Sequence, residues 1–599
     1  MMKRKQQSHL SKAKTSHVRF DFARHHRRSP KPFFKAIIHG DFWDKHRKRL
    51  RSGFFKRYRF QLTDSVVILS TFAFSFWLMF WTFQYHDGQF VMLGRVWSDF
   101  AAHIPLIRSF SMGHNFPPEY PTFPGEPIRY HYLFFLIAAG LEKLGFNIAF
   151  AFDLPSALGL WLLLVMIYYT SVSLLRSRKA AILAIVLFLF NGTWSIWETI
   201  KQSSSIPDLL HKIVAAKEYA SFGPWDGHIV SAFWNWNIYL NQRHLAASFG
   251  IALALCYPLL RYSQDKTFKL KTYWYPLIYG GFVLFPLFHQ AAYIMAVGWC
   301  LWWGALYCRK IPKRILFLYF WSFVFSLITQ FGLSQNTKQQ TAVALGYLTQ
   351  EGTPFGITKY WLFNLGFYFL LLPIFWVFSK RRSKLFLVPF IGFFVLANVM
   401  QLSTDMINNH KLINFFMIAV NILTAGILIR VWKVHWSVKP LVIILVVCLT
   451  ASGIADVFPV IHNHFLYQQD YPQSKTQQWI MTHTAPNSIF LSNLYIFNPA
   501  SVVGRKLFLD YGYFNWSMGY KDGERRQLLK QFYSPTIARL ELCTLLTDNQ
   551  INYVHFANTH GKQEYDVQFS TLFTQFTPTY TTESDEYIFK VADNCPVLK

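Results

Sequence analysis

Long apolar runs separated by short basic segments make up most of the chain. "VVILSTFAFSFWLMFWTF", starting at Val66, is the first of them. A run of this length approaches the ~20 residues that an α-helix needs to cross a bilayer. The repeating pattern predicts spans near 62–83, 153–175, 179–197, 242–261, 273–288, 290–308, 313–332, 359–379, 385–402, 411–432 and 439–458. The expected fold class is a polytopic α-helical membrane protein of about eleven spans.

The piece at 130–145, "YHYLFFLIAAGLEKLG", reaches Glu142 and Lys143 after too few apolar residues to span. Leaving it out puts five basic loops ("RSRK", "RYSQDKTFKLK", "CRKIPKR", "KRRSK" and "KVHWSVK") on one side of the membrane. That is the positive-inside arrangement. The segment is therefore read as a surface-lying or re-entrant helix. The N-terminus is expected in the cytoplasm, the C-terminus outside, and residues 84–152 in a large external loop. The expected location is the plasma (inner) membrane.

Beyond residue 458 the apolar runs stop. Segments such as "SKTQQWIMTHTAPNSIFLS" and "PTIARLELCTLLTDNQINYVHF" alternate helical and strand-like patterns. They predict a soluble α/β domain over 459–599, read as an accessory domain after a membrane domain over 62–458.

Composition sharpens this picture. The chain is 52% hydrophobic and only 15% charged, against about 25% charged in soluble proteins. The net charge of +29 raises the question of nucleic acid. Residues 1–61, however, hold 19 Lys/Arg against 3 Asp/Glu, while 459–599 hold 11 against 12. The excess belongs to a basic cytoplasmic tail and to inside loops, and its expected partner is anionic lipid, with no nucleic acid. Four of the six cysteines (Cys256, Cys300, Cys308, Cys448) fall in apolar runs. Cys543 and Cys595 fall in the C-terminal region and can pair if it faces an oxidising compartment.

Ionisable residues gather at the external ends of the spans, where a polar group is costly and usually functional. Asp99 and His103 follow the first span in "WSDFAAHIPLIR". In a helix they would share a face, although Pro105 disfavours an unbroken one. "NQRH" brings Arg243 and His244 to the start of a span, and "INNHK" brings His410 and Lys411 to another. Cationic pairs suit a phosphate. "GEPIRYHY" contributes Arg129, Tyr130 and Tyr132 as substrate contacts. His289, in "FHQAAY", reads as a turn histidine, and the aromatic stretch 222–244 holds Asp226 and His228.

With its first span and external loop, "GEPIRYHYLFFLIAAGLEKLG", "NQRHLAASFGIALAL" and a C-terminal α/β domain, the chain resembles the GT-C superfamily of membrane glycosyltransferases. The resemblance is to the group of protein O-mannosyltransferases and lipid A aminoarabinose transferases. Bacterial and archaeal membrane proteins with G-E-P-I-x-Y-x-Y segments give a closer echo. It implies hexosyl or pentosyl transfer, with inversion, from a polyprenyl-phosphate sugar to a glycan, lipid or protein acceptor on the external face. Asp99 would be the base, with His103 beside it, and Arg243, His244, His410 and Lys411 would hold the donor phosphate. Many members carry an Asp-Glu pair in this loop, where this chain has Asp99-Phe100. No metal ligand is assigned, and a divalent metal is left open. The alternatives are a transporter or flippase, or a scaffold for cell-envelope assembly without catalysis. Inverted repeats and charges buried mid-span, common in transporters, are not visible in the sequence.

Overall fold

Asp64 closes the first turn of helix α1 (Leu62–Thr82) by accepting from the Gln61 amide at 2.8 Å. Its carboxylate also takes Arg178 Nε at 2.7 Å and the Tyr168 hydroxyl at 2.7 Å, so one acid ties three helices at one end of the bundle. The computed structural model describes residues 60–219, 232–334, 341–349, 351–494, 496–557, 575–583 and 585–595. The basic tail up to residue 59 lies outside these, as do Asp226 and His228.

Past α1 the chain forms strands β1 (Phe83–His86) and β2 (Gln89–Leu93), then helices α2 (Trp97–Ser111) and α3 (Leu133–Lys143). At 11 residues, α3 is ~16 Å long and cannot span. The apolar bundle continues with α4 (Ile148–Leu175), α5 (Arg178–Leu189), α6 (Arg243–Tyr262), α7 (Tyr275–Tyr307) and α8 (Lys313–Ser334). It closes with α9 (Pro354–Leu365), α10 (Phe367–Phe378), α11 (Arg381–Val399), α12 (His410–Trp432) and α13 (Lys439–Ala455).

Among the described residues, eight helices are long and apolar enough to cross a membrane, or up to nine if a bent pair counts as one span. Eleven were expected, and two places account for the difference. The run at 179–197 yields only the 12-residue α5, ~18 Å against a core of ~30 Å. Beyond it the Gly192 amide donates to Leu449 O at 2.8 Å. This irregular backbone is paired within the protein, the condition under which lipid depth tolerates it.

The second place is α7, which breaks at His289, whose backbone is extended (φ −171°, ψ 104°). Gly281, before the break, packs on the Leu255 side chain of α6, and Cys300, after it, lies 3.4 Å from Cys256 Sγ. His289 itself sits beside His244 at the start of α6, with ring centroids 5.5 Å apart. Both limbs therefore run along α6 from the same end. The apolar runs at 273–288 and 290–308 are the two limbs of a hairpin whose tip is His289. The bent pair is α9 and α10, which meet at 92° at Gly366, a residue with φ 55° and ψ −134°. That backbone conformation needs glycine.

The segment after the last span returns to the first loop. Strand β3 (Phe465–Gln469) pairs antiparallel with β2, giving a three-stranded sheet in the order β1-β2-β3. Arg108, on α2, donates to both carboxylate oxygens of Asp470 at 3.0 and 2.9 Å and forms an ion pair with Glu142 of α3 at 2.6 Å. Gly113 and Gly504 let the two backbones touch here. A Cβ on Gly113 would lie 2.2 Å from Gly504 O.

Farther along come β4 (Ile489–Ser492), β5 (Lys506–Leu507), β6 (Tyr553–Ala557), β7 (Tyr580–Thr581) and β8 (Glu586–Lys590). They form one mixed sheet in the order β5-β4-β6-β8-β7, with β4 parallel to β5 and β6. Phe490, Leu507 and Ile588 of this sheet form an apolar core with Ile480 and Val503. Cys543 and Cys595 form a disulfide.

This pairing predicts a thiol count. Alkylation of the denatured, unreduced protein should label the four free cysteines, Cys256, Cys300, Cys308 and Cys448, and reduction should raise the count to all six. Six labelled without reductant, by mass spectrometry, would contradict the bond.

Candidate functional site

A cavity of about 810 Å³ opens where α2, the loop after it, the tip of α7, the start of α12 and the C-terminal segment meet. Six of the nine expected site residues line it: Asp99, His103, Arg129, Tyr130, His410 and Lys411.

Asp99 stands in the first turn of α2, half-buried, and accepts from Gln242 Nε2 at 3.0 Å. Burial pushes its carboxyl above the usual carboxylate range, and the bonds from Asn241 and Gln242 and the Lys411 charge oppose that rise. The same helix runs on through Pro105 as far as Ser111 without stopping. Asp99 and His103 do share a helix, yet their contacts diverge. The His103 ring packs 4.7 Å from Phe135 and 5.7 Å from His244, and its Nδ1 has no partner. Burial first, then Arg243 and Lys411, lowers His103 to about 3. It is a neutral ring, unable to act as a proton donor of imidazolium type near neutral pH.

Lys411 is buried in the first turn of α12 and donates to Asn408 Oδ1 at 3.2 Å. Its charge faces Asp99 and Asp405. His410 shares Nδ1 with Asn414 at 2.9 Å. Arg129 pairs with Glu126 at 3.1 Å, donates to Gly519 O and lies over the Tyr520 ring at 4.7 Å. It is thereby held by the C-terminal segment. Tyr132 lies near Phe110, rings 5.8 Å apart, rather than at the cavity wall.

The structure places Arg243 away from the cavity in which the phosphate was expected. Its side chain is fully buried outside the cavity lining. It forms an ion pair with Asp153 of α4 and donates to Thr82 Oγ1 at 2.8 Å, Met79 O at 3.3 Å and Leu240 O at 3.3 Å. Each of the three guanidinium nitrogens thus has a partner inside the protein, and four of its five N–H donors are used there. His244 likewise stands behind the cavity wall, with Nε2 3.0 Å from the Tyr130 hydroxyl.

Sequence reasoning did not join His131 and His289 to His244. The three buried side chains place their ligand-type nitrogens within 4.8 Å of one another, a group of the kind that holds a metal ion. Burial, with the neighbouring His289 and His244, holds His131 well below the usual imidazole range. His131 lies inside the "RYHY" motif, where the flanking tyrosines drew the reading. The C-terminal segment also enters the wall through Tyr511, Tyr513 and Phe514, and the Tyr513 hydroxyl donates to Asp405 Oδ2 at 2.7 Å. The region read as accessory therefore completes the cavity.

No protein-family model matches the chain, and no curated protein does. Among solved structures it is similar to the archaeal oligosaccharyltransferase AglB from Archaeoglobus fulgidus, in complex with an inhibitory peptide and a dolichol-phosphate. The identity is 12% over 84% of this chain and 70% of that one, with a TM-score of 0.38. A crystal structure of the Archaeoglobus fulgidus oligosaccharyltransferase with zinc and sulfate is similar at 12% identity, over 82% and 68% of the two chains, with a TM-score of 0.35. At that identity and TM-score the likeness assigns no residue and no reaction to this chain.

The Arg243–Asp153 pair yields a stability prediction. Asp153→Ala should lower stability by about 3–5 kcal/mol, since it leaves a buried guanidinium without its counter-charge. The double variant Asp153→Leu with Arg243→Met should recover most of that loss in thermal unfolding. A single variant as stable as the parent would contradict the structural role.

Proposed function

We propose that the protein is an integral membrane glycosyltransferase that moves a sugar from a polyprenyl-phosphate donor to an acceptor hydroxyl or amide in this cavity. One observation carries the reading: a carboxylate, Asp99, and a buried ammonium, Lys411, line the same cavity, each in the first turn of its helix. A lipid phosphate leaves as a stable anion, so no general acid is required. Asp99 takes the proton from the acceptor as its oxygen or nitrogen bonds to the anomeric carbon. The bond from that carbon to the phosphate oxygen breaks, and Lys411 stabilises the departing phosphate. Neutral His103 contributes shape and polarity to the wall rather than a proton.

Ile294, an apolar side chain of the cavity lining, is 55% exposed, and the lipid part of the donor would pass it. Arg129 and Tyr130 are placed to contact the sugar or the acceptor, and His410 to support the phosphate. The disulfide supports an oxidising compartment for the C-terminal region, with the N-terminus in the cytoplasm and the cavity at the external face of the plasma membrane. A lipid-linked donor with a protein acceptor, the pair represented in the AglB complex, is the first combination to assay. A glycan or lipid acceptor is the next.

Asp99→Asn should keep donor binding while turnover falls about 10²–10⁴-fold. Lys411→Gln should instead weaken donor binding. The carboxyl acts as a base only when ionised and its pKa is raised. The rate should therefore fall as pH drops through a value above the ordinary carboxylate pKa of about 4, and Asp99→Asn should abolish that limb. Near-normal turnover by Asp99→Asn, in an assay with a radiolabelled lipid-linked sugar, would exclude the base.

A further inference from the structure

His131 comes from the loop after α2, His244 from the first turn of α6 and His289 from the tip of the α7 hairpin. Each carries a buried ring nitrogen without a partner: His131 Nε2, His244 Nδ1 and His289 Nε2. Buried polar atoms are normally hydrogen-bonded, so an unpartnered nitrogen on each of three rings whose ligand-type nitrogens lie within 4.8 Å of one another calls for an explanation. We propose that His131, His244 and His289 form a binding site for a divalent transition-metal ion of the zinc class, its fourth coordination position facing the cavity.

The donor set selects the ion. Imidazole nitrogens suit zinc, copper, nickel and iron, whereas magnesium and calcium prefer oxygen. Three protein ligands with one open position are the arrangement of zinc sites that bind water or a substrate oxygen. His131 and His289 line the cavity, so the open position has a space to face. Tyr130 supplies the outer contact: with His244 Nδ1 on the ion, Nε2 keeps its proton and donates to the Tyr130 hydroxyl at 3.0 Å.

Two adjustments accompany binding. His289 Nδ1 accepts from the Ala292 amide at 3.2 Å. Ligation through Nε2 moves the ring proton to Nδ1 and gives up that contact. Tetrahedral bonds of about 2.0–2.1 Å put neighbouring nitrogens about 3.3 Å apart, so the ligand nitrogens draw together from the 4.8 Å within which they lie. The helix break at His289 is where the backbone can follow. Lys411 also lines the cavity and opposes a second cation, but Asp99 and Asp405 face it as counter-charges.

The site does not depend on the glycosyl-transfer reading, and its test is independent of activity. Full-length protein in detergent, stripped with chelator and titrated with zinc chloride, should hold about one zinc per chain by elemental analysis. His131→Ala, His244→Ala and His289→Ala should each weaken zinc binding beyond the roughly 10–100-fold expected for an outer contact, and Tyr130→Phe should fall within that range. Asp99→Asn should bind zinc as the parent does, so lost turnover with retained zinc bears on the reaction alone. If a histidine variant fails to fold, X-ray absorption of the zinc-loaded parent should report three imidazole nitrogens at about 2.0–2.1 Å. Failure of the parent to hold zinc, retention of zinc by folded histidine variants, or a spectrum without three imidazoles would overturn the proposal.

Discussion

A guanidinium buried to 1% exposure must find its counter-charges inside the protein, and Arg108 finds them on two separate parts of the chain. Glu142 comes from the short helix α3, and Asp470 comes from beyond the last span. Taking any one of these ions out of water alone costs several kcal/mol. The pairing is satisfied only when the loop after α1, α3 and the C-terminal segment are assembled together. The β2–β3 ladder and the Gly113–Gly504 contact use the same geometry. That assembly brings Tyr513 and Phe514 over the cavity that Asp99 and Lys411 face.

The apolar bundle was legible because length and hydropathy are properties of the sequence itself. Its exceptions are places where tertiary contacts decide. The run at 179–197 is as apolar as a span, yet the helix stops at Leu189 because the chain turns into contacts with α13 and the 232–241 segment. The hairpin at His289 was readable from two apolar runs meeting at one polar residue. The histidine's company was not, because its neighbours His131 and His244 are 158 and 45 residues away in the sequence.

Arg243 shows the corresponding limit for the site. An arginine at the start of a span looks the same in sequence whether it holds a ligand or closes a structural ion pair. Its partner here, Asp153, sits inconspicuously among apolar residues of "AFAFDLPSALGL". Asp99 and Lys411 were legible because each stands at the head of a helix, and the structure turns both toward one space. Gln242 and Asn241, the residues that hold Asp99 in place, carry no sequence signature of that task.

On the proposed function, this cavity receives a lipid-linked phosphate between Lys411 and Asp99. The most direct measurement is an experimental structure of the full chain with a polyprenyl-phosphate analogue bound. The phosphate is expected beside Lys411, the headgroup reaching Asp99 and the lipid leaving past Ile294. A phosphate bound away from Lys411, with the cavity left to solvent, would contradict it.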